Sequence, residues 1–471
     1  MADNTDMDSP TEREACSCAG FSRSRLLRRA ASAAVPGAGL PAIEPGMPTP
    51  AGTGLTRRAF VSRAAGVAMA VYGANKLGMT AFEEGIAAAA ERPAQPVLVS
   101  VFLEGGADSL SLLAPTGHPR YAQLRPNLAV GPSEGWAFPE DPSLRWHPSA
   151  GGLRTLHGEG KVSVFPAIGY TDANQSHFTS RHFWEVGATD PGGRYGWMGR
   201  YLDLHGVSNN PLQGLSLGSE LSPALAAGQV PTAAISKPDE YDFWIPGVWG
   251  AIKGPALNAI GGLGLGAETA DRALAQARGA AAATGRLRTQ MEPFQDGYST
   301  PAGVNYPTGS DFPKRLAGLA AMLGAGLPLR CVSVPAAGGY DTHSDQEGAL
   351  PGNLQITCDS LLAFQRDLEA RGLAGRVLTN VWSEFGRRPR ENGSGTDHGA
   401  AGCSFVIGSQ ARGTMVGEFP GLSVLDEDDN LRSTSDFRGL YRGLLEQWLG
   451  VDAAPIIPRA ASFAAPALLK A

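Results

Sequence analysis

Short apolar runs alternate with stretches of helical periodicity along most of the chain. The apolar runs are rich in β-branched residues and have the length of buried strands. Between them, apolar residues recur at helical spacing, most clearly at Ile356, Leu361, Phe364 and Leu368. Strands that alternate with helices predict an α/β fold with a largely parallel sheet. The predicted strands are residues 97–103, 161–168, 232–235, 330–335, 376–383 and 403–407, and the predicted helices are residues 149–157, 176–186, 312–323, 353–371 and 436–449.

Residues 255–310 interrupt this alternation with a segment rich in Ala, Gly and Gln. Helical patterns recur around 271–288, and no apolar run of strand length occurs in the segment. The pattern predicts a helical insertion or a long excursion within one α/β domain that covers residues 93–471.

The N-terminal part of the chain differs in composition and carries the pattern of an export signal. The arginine pair at 57–58 precedes a weakly apolar run at 64–72, and small residues at 88–90 offer a cleavage site. This is the pattern of a twin-arginine signal. We therefore assign residues 1–92 to a leader with a disordered beginning.

The leader predicts where the protein acts. Twin-arginine export carries folded proteins, so the export machinery is a predicted partner, and the periplasm or the extracellular space is the predicted destination. The apolar run is too short and too weakly apolar for a secure membrane helix, so no stable span is expected in the mature chain. The alternative is a chance arginine pair in a disordered tail.

The overall charge excludes one broad class of function. The chain of 471 residues has a formal net charge of −6 and a pI near 5.8. A general nucleic-acid binder needs a basic surplus to neutralise phosphates, and this chain has none. We therefore expect no nucleic-acid partner.

The cysteines predict no disulfide framework. Cys16 and Cys18 fall in the predicted leader, which leaves Cys331, Cys358 and Cys403 in the domain. Three widely spaced cysteines match neither a complete set of disulfides nor a zinc ribbon. Buried free thiols are the simplest interpretation.

Acidic, imidazole and hydroxyl side chains follow or adjoin the predicted strands in four loops. Ligand sites in α/β sheets form where the carboxyl ends of the strands meet. Carboxylates and imidazoles bind divalent metals, and a serine or a bound water supplies a nucleophile. Convergence of the loops would therefore make a site for one or two divalent metals. The side chains are Glu104, Asp108 and Ser109 in the first loop, Ser176, His177 and His182 in the second, Asp341 and His343 in the third, and Glu384, Arg387, Asp397 and His398 in the fourth.

Each of these residues also has a structural interpretation. Ser176 can cap the helix that follows it. Asp108 can bond to backbone donors after the Gly-Gly turn, and Glu384 can form an ion pair with Arg387. A histidine on a turn is often only a hydrogen-bonded loop residue. The conjunction of four such loops favours a functional site.

An ordered set of short motifs along the domain carries a family resemblance. The motifs are Phe-Leu-Glu-Gly-Gly-Ala-Asp (102–108), Arg-Pro-Asn-Leu (125–128), Trp-His-Pro (146–148), Ser-His-Phe (176–178), Tyr-Asp-Thr-His (340–343), Ser-Glu-Phe-Gly-Arg (383–387) and Thr-Asp-His-Gly (396–399). With the leader, they resemble the bacterial exported family known as domain of unknown function 1501. That family is similar to the alkaline phosphatase and sulfatase superfamily. The resemblance implies a doubly wound α/β core of alkaline phosphatase-like type, metal-binding Asp and His residues, and a Ser, Thr or modified Cys nucleophile.

The resemblance also implies roles for single residues. Asp341 and His343 resemble the superfamily's Asp…His metal pair, and the motif at 396–399 resembles its late Asp-His pair. Either Glu104 or Asp108 takes the place of the first-strand Asp. No Cys-x-Pro-x-Arg sequence occurs, so a formylglycine sulfatase is not indicated.

Together these observations predict an exported metal-dependent hydrolase of phosphate or sulfate esters, with a small-molecule or glycan ester as substrate. Zn, Mn, Mg and Ca are the candidate divalent metals. Ser176 would attack the ester, His177 would assist it, and Arg387 would bind the anionic oxygens. The predicted metal ligands are Asp108, Asp341, His343, Glu384, Asp397 and His398.

Two alternatives use the same fold. A non-catalytic exported protein could keep the fold and bind a glycan, a polymer or a partner. A hydrolase without a metal could work through Ser176 and His177. Bound metal distinguishes the metal-dependent enzyme from the binding protein, and resistance to chelation distinguishes the metal-free enzyme.

Overall fold

The computed structural model describes residues 69–72, 95–207, 210–239, 250–263 and 297–470, together with 271, 274, 287 and 291–294. Most of the predicted helical stretch at 271–288 and most of the predicted leader lie outside the described residues.

Strands and helices alternate along the described residues. In chain order the strands are β1 (Met69–Tyr72), β2 (Val97–Phe102), β3 (Leu113–Ala114), β4 (Trp136–Ala137), β5 (Arg145–Trp146), β6 (Val162–Gly169), β7 (Gly214–Leu217), β8 (Thr232–Ile235), β9 (Cys331–Pro335), β10 (Val377–Trp382), β11 (Arg387–Glu391), β12 (Thr396–His398), β13 (Gly402–Ile407) and β14 (Ser435–Asp436). The α-helices are α1 (Ser109–Leu112), α2 (Arg120–Leu124), α3 (Gly151–Gly158), α4 (His177–Val186), α5 (Trp197–His205), α6 (Lys253–Leu263), α7 (Asp311–Gly324), α8 (Gln346–Ala370) and α9 (Phe437–Gly443).

One mixed sheet organises the fold, with the strand order β1-β8-β7-β9-β2-β10-β13-β6-β14. The five neighbouring strands from β8 to β10 run parallel to one another. β13 runs antiparallel to both of its neighbours, β10 and β6. The prediction of an α/β fold with a largely parallel sheet is therefore confirmed.

Both faces of the sheet are covered. In β2 the side chains of Val97, Val99 and Val101 pack into one core, and those of Leu98 and Phe102 pack into another. The first core includes apolar residues of α3, α7 and α8, and the second includes apolar residues of α4, α5 and α9. A strand buried on both faces is apolar at nearly every position, which explains why β2 is apolar at five of its six positions, whereas β10 has Thr379 and Asn380 within an otherwise apolar strand.

Several elements differ from the prediction. The long helix α8 begins at Gln346, not at 353, and continues through Pro351. β7 was not predicted, because its sequence Gly-Leu-Ser-Leu lacks β-branched residues. Within the apolar run of the predicted leader, β1 pairs antiparallel with β8 and forms the edge of the sheet. The last helix changes after Gly443 to a π-helical segment, Leu444–Trp448.

Two smaller sheets accompany the main one. β3, β5 and β4 form one of them, and β11 pairs with β12 in an antiparallel hairpin. That hairpin carries Arg387 and His398, which lie opposite each other in the pairing. Among the described residues, no helix has the length and apolarity that a membrane crossing needs.

Candidate metal centre

The predicted loops meet at the carboxyl edge of the central parallel strands. Phe102, at the end of β2, pairs with Pro335 at the end of β9 and with Trp382 at the end of β10. The loops that leave these three strands carry Gly105, Asp341 and Glu384. Adjacent strand ends are where an open α/β sheet places its ligand sites.

Two glycines allow the loops to pack closely. Gly105 has a φ of +115°, and a Cβ atom there would lie 2.4 Å from the backbone nitrogen of Asp341. Gly106 has a φ of +70°, and a Cβ atom there would lie 2.3 Å from the ring of Phe385. Any other residue would be strained and would clash. The Gly-Gly sequence after β2 therefore allows the third and fourth loops to reach the first.

Three histidines surround the carboxylate of Asp341. The Nε2 atoms of His343 and His398 lie 3.3 and 3.4 Å from its Oδ1. The Nε2 atom of His177 lies 3.5 Å from its Oδ2. The Nε2 atoms of His343 and His398 are only 2.9 Å apart. One potential ligand atom from each of His177, Asp341 and His398 lies within 4.8 Å of the others.

The second nitrogen of each imidazole contacts an acceptor. His398 Nδ1 is 2.8 Å from the backbone carbonyl oxygen of Gln175. His177 Nδ1 is 2.8 Å from Glu384 Oε1, and His343 Nδ1 is 3.2 Å from Asp397 Oδ1. Carbonyl and carboxylate oxygens only accept, so each Nδ1 carries the hydrogen. With the hydrogens assigned to Nδ1, the three Nε2 atoms converge beside the carboxylate of Asp341, where they can bind a cation.

The charges at the site are those that a metal ligand set needs. Burial by itself would raise the pKa of Asp341, but the neighbouring imidazoles of His177 and His398 and the guanidinium of Arg387 hold it well below its ordinary value of 3.8. Burial lowers the pKa of His398 below 6.5, and His177, Arg387 and His343 lower it further against the opposing effect of Asp341. The carboxylate is thus ionised and the imidazole of His398 is neutral at neutral pH.

The arrangement fits a divalent cation on its own geometry. Two Nε2 lone pairs at 2.9 Å repel each other unless a proton or a cation lies between them. Metal-bound histidines typically donate their other ring N–H to a carboxylate or a carbonyl, as all three do here. Imidazole and carboxylate together are a usual ligand set for zinc and related metals.

Comparison with known proteins finds one family model that matches part of the chain, and that family has no known function. Residues 267–438 match the family model described as "Protein of unknown function (DUF1501)". This match supports the DUF1501 resemblance. The matched range contains Asp341, His343 and His398, whereas His177 lies outside it. No curated protein matches the sequence.

One solved structure with a low similarity is the C-terminal periplasmic domain of EcEptC from Escherichia coli in complex with Zn. It is 9% identical, with a TM-score of 0.30, and the match covers 76% of this chain and 84% of that chain. A likeness at this level supports no conclusion about the function of this chain.

Glu384 lies next to the cluster and orients one of its histidines. Its carboxylate accepts from the backbone N–H of Gly105 at 3.0 Å and of Gly106 at 3.1 Å, from Ser383 Oγ at 3.0 Å and from His177 Nδ1. Burial would raise its pKa, but the bond from His177 and the backbone donors lower it. Glu384 is therefore an ionised partner that fixes the ring of His177.

Asp108 lies apart from the cluster in a buried ion pair. Arg125 donates to both of its oxygens, from Nη1 at 2.5 Å and from Nη2 at 2.9 Å. Ser111 Oγ and Gln346 Nε2 donate to Oδ2, each at 2.6 Å. The backbone N–H of Leu110 donates to Oδ1, so Asp108 also caps α1.

The remaining predicted residues take other positions. Ser176 is the N-cap of α4, directly before His177. His182 is buried farther along α4, with Nε2 3.1 Å from the carbonyl oxygen of Asp190. Glu104 is largely exposed and accepts from Arg181.

Arg387 is fully buried behind Asp341, where its guanidinium donates to that carboxylate and to backbone carbonyls. A side chain with 0% exposure does not face a substrate. Sequence reasoning also missed Gln175, which holds His398 through its backbone carbonyl. No sequence pattern could have shown that contact, because any residue supplies a carbonyl.

Proposed function

We propose that this protein is an exported metal-dependent hydrolase of phosphate or sulfate esters, and that His177, Asp341, His343 and His398 hold one divalent cation. The observation that carries the proposal is the convergence of the three Nε2 atoms on one carboxylate, at 3.3 to 3.5 Å. Glu384 and Asp397 then act on the cation through His177 and His343.

A cation accounts for the cluster better than a proton does. A proton between His343 and His398 would charge one imidazole, and burial lowers the pKa of His398. A divalent cation satisfies all of the inward lone pairs at once. Three imidazoles and one carboxylate favour zinc or a similar transition metal over Mg and Ca, which prefer oxygen ligands.

The cation would supply Lewis acidity, polarising the ester oxygen and stabilising charge on the leaving group. The chain's own residues provide the rest of the site. Glu384 keeps the hydrogen of His177 on Nδ1, and Gln175 does the same for His398. Ser176 begins the same helix as His177, and we assign its hydroxyl as the candidate nucleophile.

Several parts of the proposal rest on the sequence. The arginine pair at 57–58 and the small residues at 88–90 support twin-arginine export and a mature domain from about residue 93. The phosphate or sulfate class and the alkaline phosphatase-like type of fold rest on the family resemblance. A small-molecule or glycan ester is the proposed substrate.

Metal content of the folded, leader-free protein tests the proposal. Elemental analysis after dialysis should find close to one equivalent of zinc or a related metal, and the double variant Asp341→Ala/His398→Ala should retain none. Assays with nitrophenyl phosphate and nitrophenyl sulfate should then show hydrolysis that chelation abolishes.

Two results would change the conclusion. No metal after supplementation with Zn, Mn, Mg and Ca would contradict the metal centre and favour a non-catalytic binding protein. Hydrolysis that survives chelation but is lost in Ser176→Ala would indicate a metal-free enzyme. Ser176→Ala should otherwise keep its metal and lose hydrolysis.

A further inference from the structure

Arg387 is a fully buried arginine that contacts three of the four loops at the candidate metal centre. Its side chain has 0% exposure, and Nη2 donates to Asp341 Oδ1 at 2.5 Å. The other acceptors are backbone carbonyl oxygens, those of Gly105, Gly106, Tyr340 and Thr396.

These acceptors come from separate parts of the chain. Gly105 and Gly106 follow β2, Tyr340 follows β9, and Thr396 begins β12. The guanidinium therefore connects three segments that are distant in sequence but adjacent in the site. Its planar array of donors allows one side chain to satisfy this many acceptors, which an ammonium group does not.

We infer that Arg387 is a positioning residue of the metal centre, which holds the Asp341 carboxylate at the point where the three Nε2 atoms converge. This inference rests on the proposed metal centre. Asp341 Oδ1 is shared between Arg387 and the imidazoles of His343 and His398, at 2.5, 3.3 and 3.4 Å. Arg387 acts through Asp341 and is not itself a metal ligand.

The chain offers a matched control in Arg125. It too has 0% exposure, and it too donates to a carboxylate and to backbone carbonyls, those of Pro389 and Arg388. Its carboxylate is Asp108, which lies outside the cluster. Replacement of either arginine removes a buried guanidinium, but only Arg387 contacts the proposed ligand set.

A double-mutant cycle on cobalt(II) affinity tests the inference. The variants are Arg387→Lys, Arg125→Lys and Asp341→Asn, singly and in the two pairs with Asp341→Asn, measured by chelator competition and by the visible spectrum of bound cobalt. Arg387→Lys should weaken cobalt binding about 10- to 100-fold and shift the cobalt spectrum. In the Asp341→Asn background it should cause little further loss, because the residue through which it acts is already changed.

Arg125→Lys should leave cobalt affinity and spectrum nearly unchanged in both backgrounds, although it destabilises the fold. Folding of each variant is checked by circular dichroism, and an osmolyte keeps a destabilised variant folded during the titration. Arg387→Gln provides a second test of the same position, with the same expected loss.

Three outcomes would overturn the inference. Additive losses for Arg387→Lys and Asp341→Asn would show that Arg387 does not act through Asp341. Equal losses for Arg387→Lys and Arg125→Lys would show a general effect of destabilisation. A wild-type protein that binds no cobalt and no zinc would refute the metal centre itself, whereas the first two outcomes leave it intact.

Discussion

Two carboxylates near the carboxyl edge of the same sheet have opposite surroundings. Asp108, after β2, receives hydrogen bonds from Arg125, Ser111 and Gln346 and is completely buried. Asp341, after β9, receives one guanidinium bond and faces three imidazole lone pairs. The first carboxylate is fully satisfied by the protein, whereas the second lies among acceptors that need a cation.

The difference shows how a structural ion pair can be distinguished from a metal site when both contain the same residue type. Acidity does not separate Asp108 from Asp341, because the pKa of both is lowered. The two carboxylates differ in whether the groups around them donate hydrogen bonds. Where neighbours donate, the charge is already compensated, and where imidazole Nε2 atoms converge on the carboxylate, the group can hold a cation.

The largest effect should come from breaking the buried ion pair between Asp108 and Arg125. Asp108→Asn leaves the buried Arg125 without its counter-charge, so the free energy of unfolding should fall by about 3–5 kcal/mol. Metal affinity should stay within about threefold of the wild type, since Asp108 is outside the cluster. Urea unfolding and a zinc titration measure the two quantities. A loss of metal without a loss of stability would reverse the assignment of the two carboxylates.

The Asp108–Arg125 pair should also determine how the stability of the fold changes at low pH. Burial would raise the pKa of Asp108, but Arg125, Ser111 and Gln346 lower it below 3.8. A lowered folded-state pKa means that its contribution is fully present above the unfolded value and is lost as the pH falls through the folded value. Between about pH 5 and pH 2, Asp108→Asn should therefore lose stability less steeply than the wild type. Parallel curves would contradict this.

At the candidate metal centre, a substitution should lower zinc affinity more than it lowers stability. His398→Ala removes one inward lone pair, so zinc affinity should fall by more than about 100-fold, which corresponds to more than about 2.7 kcal/mol. The metal-free protein should lose much less stability, because the repulsive contact with His343 is also removed. His182→Ala is the control, a buried histidine outside the cluster, and should keep its metal. Equal metal binding in both variants would sink the metal centre.

Glu384 combines features of both sites. Its carboxylate accepts hydrogen bonds from backbone N–H groups, and it also orients His177. Glu384→Gln should weaken zinc binding about 10- to 100-fold, because the charge-assisted bond to His177 is lost. Glu185→Gln, a buried glutamate on α4 that pairs with Arg181, serves as the control and should not change zinc affinity. If the two variants behave alike, Glu384 does not act through His177.

The sequence predicted the sheet and the loops more successfully than the roles within them. The apolar runs of β2 and β10 are buried on both faces, so their pattern was strong, whereas the short β7 and the hairpin of β11 and β12 had none. The pattern brought Asp341, His343 and His398 into one predicted site, as the structure does. The pattern assigned His177 to assist the attack by Ser176, and only three-dimensional proximity places its Nε2 beside Asp341. Tautomers depend on contacts between distant loops, which composition and spacing do not encode.

Substitution of Asp397 should have the smallest effect on zinc affinity, because Asp397 contacts His343 and is not a proposed ligand. It accepts from His343 at 3.2 Å and from Asn392 at 2.9 Å, but its side chain is 53% exposed. Water can replace much of what the carboxylate provides, so Asp397→Asn should weaken zinc binding by no more than about tenfold, less than Glu384→Gln. Asp311→Asn, an equally exposed aspartate paired with Lys237, is the control and should have no effect on zinc affinity. A loss in Asp397→Asn as large as in His398→Ala would mean that Asp397 is itself a ligand, as the sequence first suggested, and that His343 takes the outer position.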